Sequence, residues 1–122
     1  MAIGPFTTAR SGGDSSWLGS RHAVAEAHPG TLDAAAFSAA PGVTNGVVPS
    51  GYPVARVGGL CVPYDSAAVD GSEVLYGFSI DDRDISNGDE PTAIVWHGRI
   101  KTANLPVAFT APADAGAFVY EN

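Results

Sequence analysis

The chain is poor in cysteine: Cys61 is the single one among 122 residues. No internal disulfide can form, and the apolar neighbours in LCV make Cys61 a buried, inert thiol suited to a reducing compartment. Positive charge is also scarce. Six Lys and Arg stand against thirteen Asp and Glu, for a net charge of −7. Such a chain repels phosphate backbones and anionic lipid, so we expect no nucleic-acid and no membrane partner. The start lacks a basic stretch followed by an apolar one, and no apolar run approaches about 18 residues. Neither secretion by a cleaved leader nor a spanning helix is expected. There is no N-x-[ST] sequon.

Long helical patterns are missing too. Glycine (15) and proline (9) punctuate the chain throughout, which implies many turns and short strands. With 45% hydrophobic and 16% charged residues the chain can fold, and its length makes one domain the default. Strands are expected at Val47–Val48, Tyr52–Val57, 60–64, 73–80 and 92–101, with short ones at 107–109 and 117–120. A Pro-Ser-Gly turn follows Val48, and Gly58-Gly59 makes another turn or a bulge. DDRDISNGDEP is a polar connection longer than a tight turn. A helical turn is possible over Arg21–Ala27, ended by Pro29-Gly30. The segment TLDAAAFSAA reads as extended, though its alanines favour helix. The fold class is mainly β with little helix.

Residues 1–20 read as an extended N-terminal arm preceding a β-rich domain at 21–122. Within it, RSGGDSSWLGSRH sets a tryptophan among serine, glycine and charge, a composition that favours water. Trp17 therefore either folds back on its own domain or is kept for a partner.

Catalytic and metal signatures are weak. The acidic cluster Asp81-Asp82-Arg83-Asp84 fits an EF-hand loop in neither register. Started at Asp82, the template meets Asn87 where glycine belongs and Ala93 where the bidentate acid belongs. His22, His28 and His97 have no partner at metal-ligand spacing, and one cysteine makes no zinc thiolate site. His97 beside Trp96 lacks a nucleophile, since no G-x-S-x-G surrounds Ser79 or Ser86. No phosphate-binding glycine loop is present. No catalytic residue, metal or cofactor is expected.

Four pieces stand in fixed order: SSWLGSRH with TLDAAAF, then GVVPSGYPVARV, LCVPYDSAAVDGSEVLYGFSIDD and AIVWHGRIKTANLP. This order resembles the head decoration proteins of tailed bacteriophages, particularly those infecting actinobacteria. The VPYD…DGSE…GF block followed by the HGR…LP strand is its most specific part, and 43–106 carry most of it. Residues 31–40 and the last sixteen depart from it.

The resemblance implies a β-clip-like fold of the lambda decoration type. It further implies a homotrimer at local three-fold axes of the capsid exterior, assembled in the host cytoplasm and bound to the major capsid protein. In that setting Trp17 and Leu18 would anchor an arm that orders on the shell, with Ile3 and Phe6 as secondary anchors. Trp17 covering its own core is the other reading. Two other classes compete: a hydrolase on a clip-like fold, and a virion adhesion module binding host carbohydrate through exposed aromatics such as Trp96 with Tyr76. The stretch 65–90 holds eight acids and one base, Arg83, and reads as a solvent-facing surface that keeps particles apart.

Overall fold

A computed structural model describes residues 15–19, 27–112 and 116–121. The protein is mainly β; among the described residues it has one α-helix of a single turn and a short 3-10 helix at Thr102–Asn104. Five strands close into a small barrel in the order β1 (His28–Leu32), β4 (Leu60–Pro63), β3 (Pro53–Val57), β5 (Leu75–Ser79), β7 (Glu90–Val95). All pairings in it are antiparallel except the closing one, where β1 meets β4 in parallel through Leu32 and Cys61. Two small sheets lie outside the barrel. One pairs β2 (Val47–Val48) with β6 (Arg83–Asp84), and the other pairs β8 (Gly98–Lys101) with β9 (Phe118–Glu121) in parallel.

Local chemistry accounts for the elements. Val57 and Leu60 face each other across Gly58-Gly59. Both glycines have positive φ, 62° and 86°, as the tight hairpin turn between right-twisted strands requires. The alanine run is a helix, α1 (Ala34–Phe37), rather than the extended segment expected from its alternation. Asp33 decides this, because its carboxylate accepts from the amides of Ala35 and Ala36 and caps the helix. The strand in that region lies earlier instead, over His28–Leu32, and runs through Pro29-Gly30, which were expected to end a helical turn. The helical turn expected over 21–27 falls on residues 21–26, outside the described set.

Residues 92–101 do not form one strand. They break after Val95, and β8 leaves the barrel to join β9. No strand forms at 107–109. Instead Val107 packs against the barrel core and Phe109 against the second core.

That break gives the molecule two cores. Leu32, Val54, Cys61 and Ile94 fill the barrel with Phe37, Val48, Tyr52 and Ile85. Phe78 and Val95, from the same barrel strands, join Ile100, Phe118 and Trp17 in a second core between the barrel wall and the β8–β9 sheet. Strand alternation explains the division: Ile94 and Val95 are neighbours that point to opposite faces. Cys61 is buried, as expected, and burial is the largest influence raising its thiol pKa.

Candidate functional site

The second core contains the answer to the tryptophan. Trp17 is 0% exposed, so it is a core residue of its own domain and not an anchor held out for a shell. This corrects the arm reading of Trp17 for a physical reason. Its ring packs 5.8 Å from Phe78, and its Nε1 donates to Ser50 Oγ at 3.0 Å. Ser50 Oγ in turn donates to the Ile80 carbonyl, and the Ser50 amide donates to Asp82 at 2.7 Å. The Pro-Ser-Gly turn is thus the socket for the indole. Gly51 belongs to the same socket: it has φ +88°, and a Cβ there would stand 2.7 Å from the ring.

The backbone around Trp17 is tied equally well. The Gly19 amide donates to the Arg99 carbonyl at 2.8 Å, and the Lys101 amide to the Trp17 carbonyl at 2.7 Å. Leu18 bridges Ile100 and packs on the second core, half-buried. Asn104 Nδ2 donates to the Ser16 carbonyl at 3.0 Å. Residues 15–19 therefore form a third rung beside β8, and the boundary expected at residue 20 cuts through the domain. Ile3 and Phe6, the other two arm residues, lie outside the described set. On the far side of the small sheet, β9 has a strand partner on one edge only among the described residues. It carries Val119, 59% exposed.

The acidic stretch builds loops. Asp65, Asp70, Glu73, Asp82, Asp84 and Asp89 each accept a backbone amide. Asp81 and Glu90 face Arg83 at 3.3 and 4.0 Å. Asp70 and Asp84 also accept the hydroxyls of Ser72 and Ser86, which hold both carboxyls below their usual range. Sequence reading took these acids for surface charge alone; the D-x-S spacing of Asp70-Ser72 and Asp84-Ser86 was the available signal of Asx turns. Among the described residues no group of three or more His, Cys, Asp or Glu is placed to hold a metal ion. No helix among them is long and apolar enough to cross a membrane.

Tyr120, on the second-core side of β9, has a buried hydroxyl without a hydrogen-bond partner among the described residues. Burial first, and the nearby Tyr64 phenol second, push its pKa from 10.0 to about 12. The folded state therefore favours the neutral phenol. The resulting stability is complete below pH 10 and is lost as pH rises toward about 12. Denaturation midpoints measured across that window fall for the native sequence and fall less for Tyr120→Phe, which keeps the ring and has nothing to ionise.

Several grooves mark the described surface. One of about 440 Å³ lies between α1 and the 107–108 segment and is lined mainly by alanine, proline and tyrosine, with Asp65 its one charged residue. Another, about 330 Å³, opens beside Tyr76 and Trp96. Fold and surface together define a small β-barrel with a second β layer fastened to it by an N-terminal tryptophan. No protein-family model matches the chain, and no curated protein sequence matches it.

Proposed function

We propose that this protein is a capsid decoration protein. In this reading it binds the major capsid protein on the exterior of a phage head, as homotrimers at local three-fold positions, and ties neighbouring shell subunits together against internal DNA pressure. The ordered motifs GVVPSGYPVARV, VPYD…DGSE…GF and HGR…LP support it by their resemblance to that family.

The observation that carries the reading is the fastening of residues 15–19. Trp17 and Leu18 fix the chain at Ser15 against a rigid β layer, so the residues before it start from a defined point on the domain. Ile3 and Phe6 in that segment are the shell contacts. Strand β9, one-sided among the described residues, offers a second contact, because an unpaired strand edge accepts an extended partner. Three copies related by cyclic symmetry present three such segments at once, and linkage makes modest contacts strong. The carboxylates spent on turns hold the loops of each copy in one shape.

The test titrates purified protein onto expanded, undecorated heads of its phage and counts bound copies. The truncation must stop before Ser15, since removing residues 1–20 would take Trp17 out of the core. Intact protein saturates in multiples of three. A version starting at Ser15 keeps its fold and loses about 100-fold or more in affinity. Failure of the intact, folded protein to bind its own shell overturns the reading.

A further inference from the structure

Strand β5 carries one residue more than its neighbour. Val54 pairs with Gly77, yet Ala55 pairs with Leu75, so Tyr76 is the extra residue of a β-bulge. The bulge resets the alternation of the strand. Leu75 and Phe78 both join the second core, while Tyr76 packs against the barrel core.

The displaced ring becomes part of a row of side chains drawn from four segments. The Arg56 guanidinium lies 5.6 Å from the Tyr76 ring centre, and the His28 ring centre lies 6.3 Å from it. His28 stacks on Trp96, with centres 4.9 Å apart and planes at 17°. His97 meets the same indole edge-on at 4.2 Å. The 330 Å³ groove is lined by Tyr76 and Trp96 together with Glu73, Val74, Pro112 and Phe118. Val74 is 64% exposed beside it.

We infer that this groove is a carbohydrate-binding site for one pyranose ring, seated against Trp96 with its hydroxyls toward Glu73. A sugar ring has an apolar C–H face and a hydroxyl rim. A groove combining aromatic surface with a few fixed polar groups matches both. Its volume sits at the low end of the roughly 300–1,000 Å³ typical of ligand sites, which suits a single ring. The rings are held by stacking before any ligand arrives, so little ordering accompanies binding. Glu73 is held as well, because one of its carboxylate oxygens accepts the Gly71 amide at 2.8 Å.

Aromatic faces also attract quaternary ammonium groups, and the Glu73 carboxylate lining the groove would favour one. The Arg56 guanidinium over Tyr76 opposes it, so a quaternary ammonium ion is the competing ligand and the test includes it. The site does not depend on the capsid reading, since Tyr76, Trp96 and Glu73 are no part of the shell contacts proposed above, although Phe118 lines the groove and also packs in the core of Trp17.

The chain has two tryptophans, and Trp17 is fully buried. A ligand-induced change in indole fluorescence therefore reports Trp96. The full chain is titrated with the methyl glycosides of glucose, galactose, mannose and N-acetylglucosamine, and separately with tetramethylammonium. At least one glycoside gives a saturable change in the low millimolar range. By ligand-observed NMR, Trp96→Ala and Glu73→Gln each weaken that binding about tenfold or more, with circular dichroism unchanged. Trp96→Phe, which keeps an aromatic face, retains most of it. Should Trp96→Ala fail to fold, Glu73→Gln and Trp96→Phe carry the comparison. The inference is overturned if no glycoside binds, if binding is indifferent to Glu73→Gln and Trp96→Ala, or if tetramethylammonium binds where the sugars do not.

Discussion

Trp17→Ala lowers the stability of the folded protein by about 3–5 kcal/mol, the cost of emptying a large aromatic site that cannot collapse. Three features keep the site from collapsing. Phe78, Ile100 and Phe118 are held on three different strands. Gly51 approaches the ring so closely that it has no side chain to fill the gap. Ser50, 4% exposed, loses the indole N–H that its hydroxyl accepts, and a buried polar group with a missing partner adds to the loss. Trp17→Phe separates the contributions: it restores most of the ring, leaves Ser50 short of a donor, and costs about 1–3 kcal/mol. Urea denaturation of the three proteins measures both differences. A Trp17→Ala protein as stable as the parent would return the indole to an anchoring role. The same numbers decide how capsid binding is interpreted, because a variant with a damaged β layer weakens any contact made by that layer.

Gly77→Ala is expected to be at least as damaging, at roughly 3 kcal/mol or more, for the opposite reason. A methyl group there would stand 2.3 Å from the Val95 carbonyl oxygen and 2.5 Å from Ile94 Cγ2. The nearest atom is backbone of the neighbouring strand, so no rotamer change relieves the clash. The β5–β7 pairing of Phe78 with Val95 and of Ser79 with Ile94 must open. That pairing holds a wall shared by both cores and also the bulge that displaces Tyr76. The variant therefore loses near-ultraviolet circular dichroism and unfolds at much lower urea, or accumulates as insoluble protein. Gly59→Ala is the matched control. It has positive φ of 86° and nothing near its Cβ position, so it shows only the backbone cost of about 1–2 kcal/mol. Equal effects of the two substitutions would mean that the close approach to Val95 is relieved elsewhere.

Strand content was legible in the sequence because turn residues bracket short apolar runs: Val57-Gly58-Gly59-Leu60 announces its hairpin. What was hidden depends on distance along the chain. Trp17 sits in water-loving sequence, and its socket lies 33 residues away at Ser50. Nothing local to either segment encodes the match. The continuous apolar run around Val95 concealed a corner, since a strand that leaves one sheet for another keeps β-forming residues on both sides of the bend. The helix at Ala34 was concealed by an alternation that the Asp33 cap overrides. Phe78, Val95 and Val107 could not be sorted by periodicity, because the molecule has two cores and alternate residues are buried in different ones. The Tyr76 bulge leaves no mark in EVLYGFSI, as one extra residue becomes visible only against its partner strand.

The barrel closes through Leu32 and Cys61, and β1 completes its pairing only with β7, whose last residue is Val95. Trp17 likewise needs Phe118, far along the chain. During synthesis Trp17 and β1 therefore wait for segments made well after them. Long loops must close before either core rewards the chain, which places the molecule among slow, non-local folders. Until that moment the unpaired strands are exposed edges, and the acidic loops between them keep nascent copies from pairing with one another.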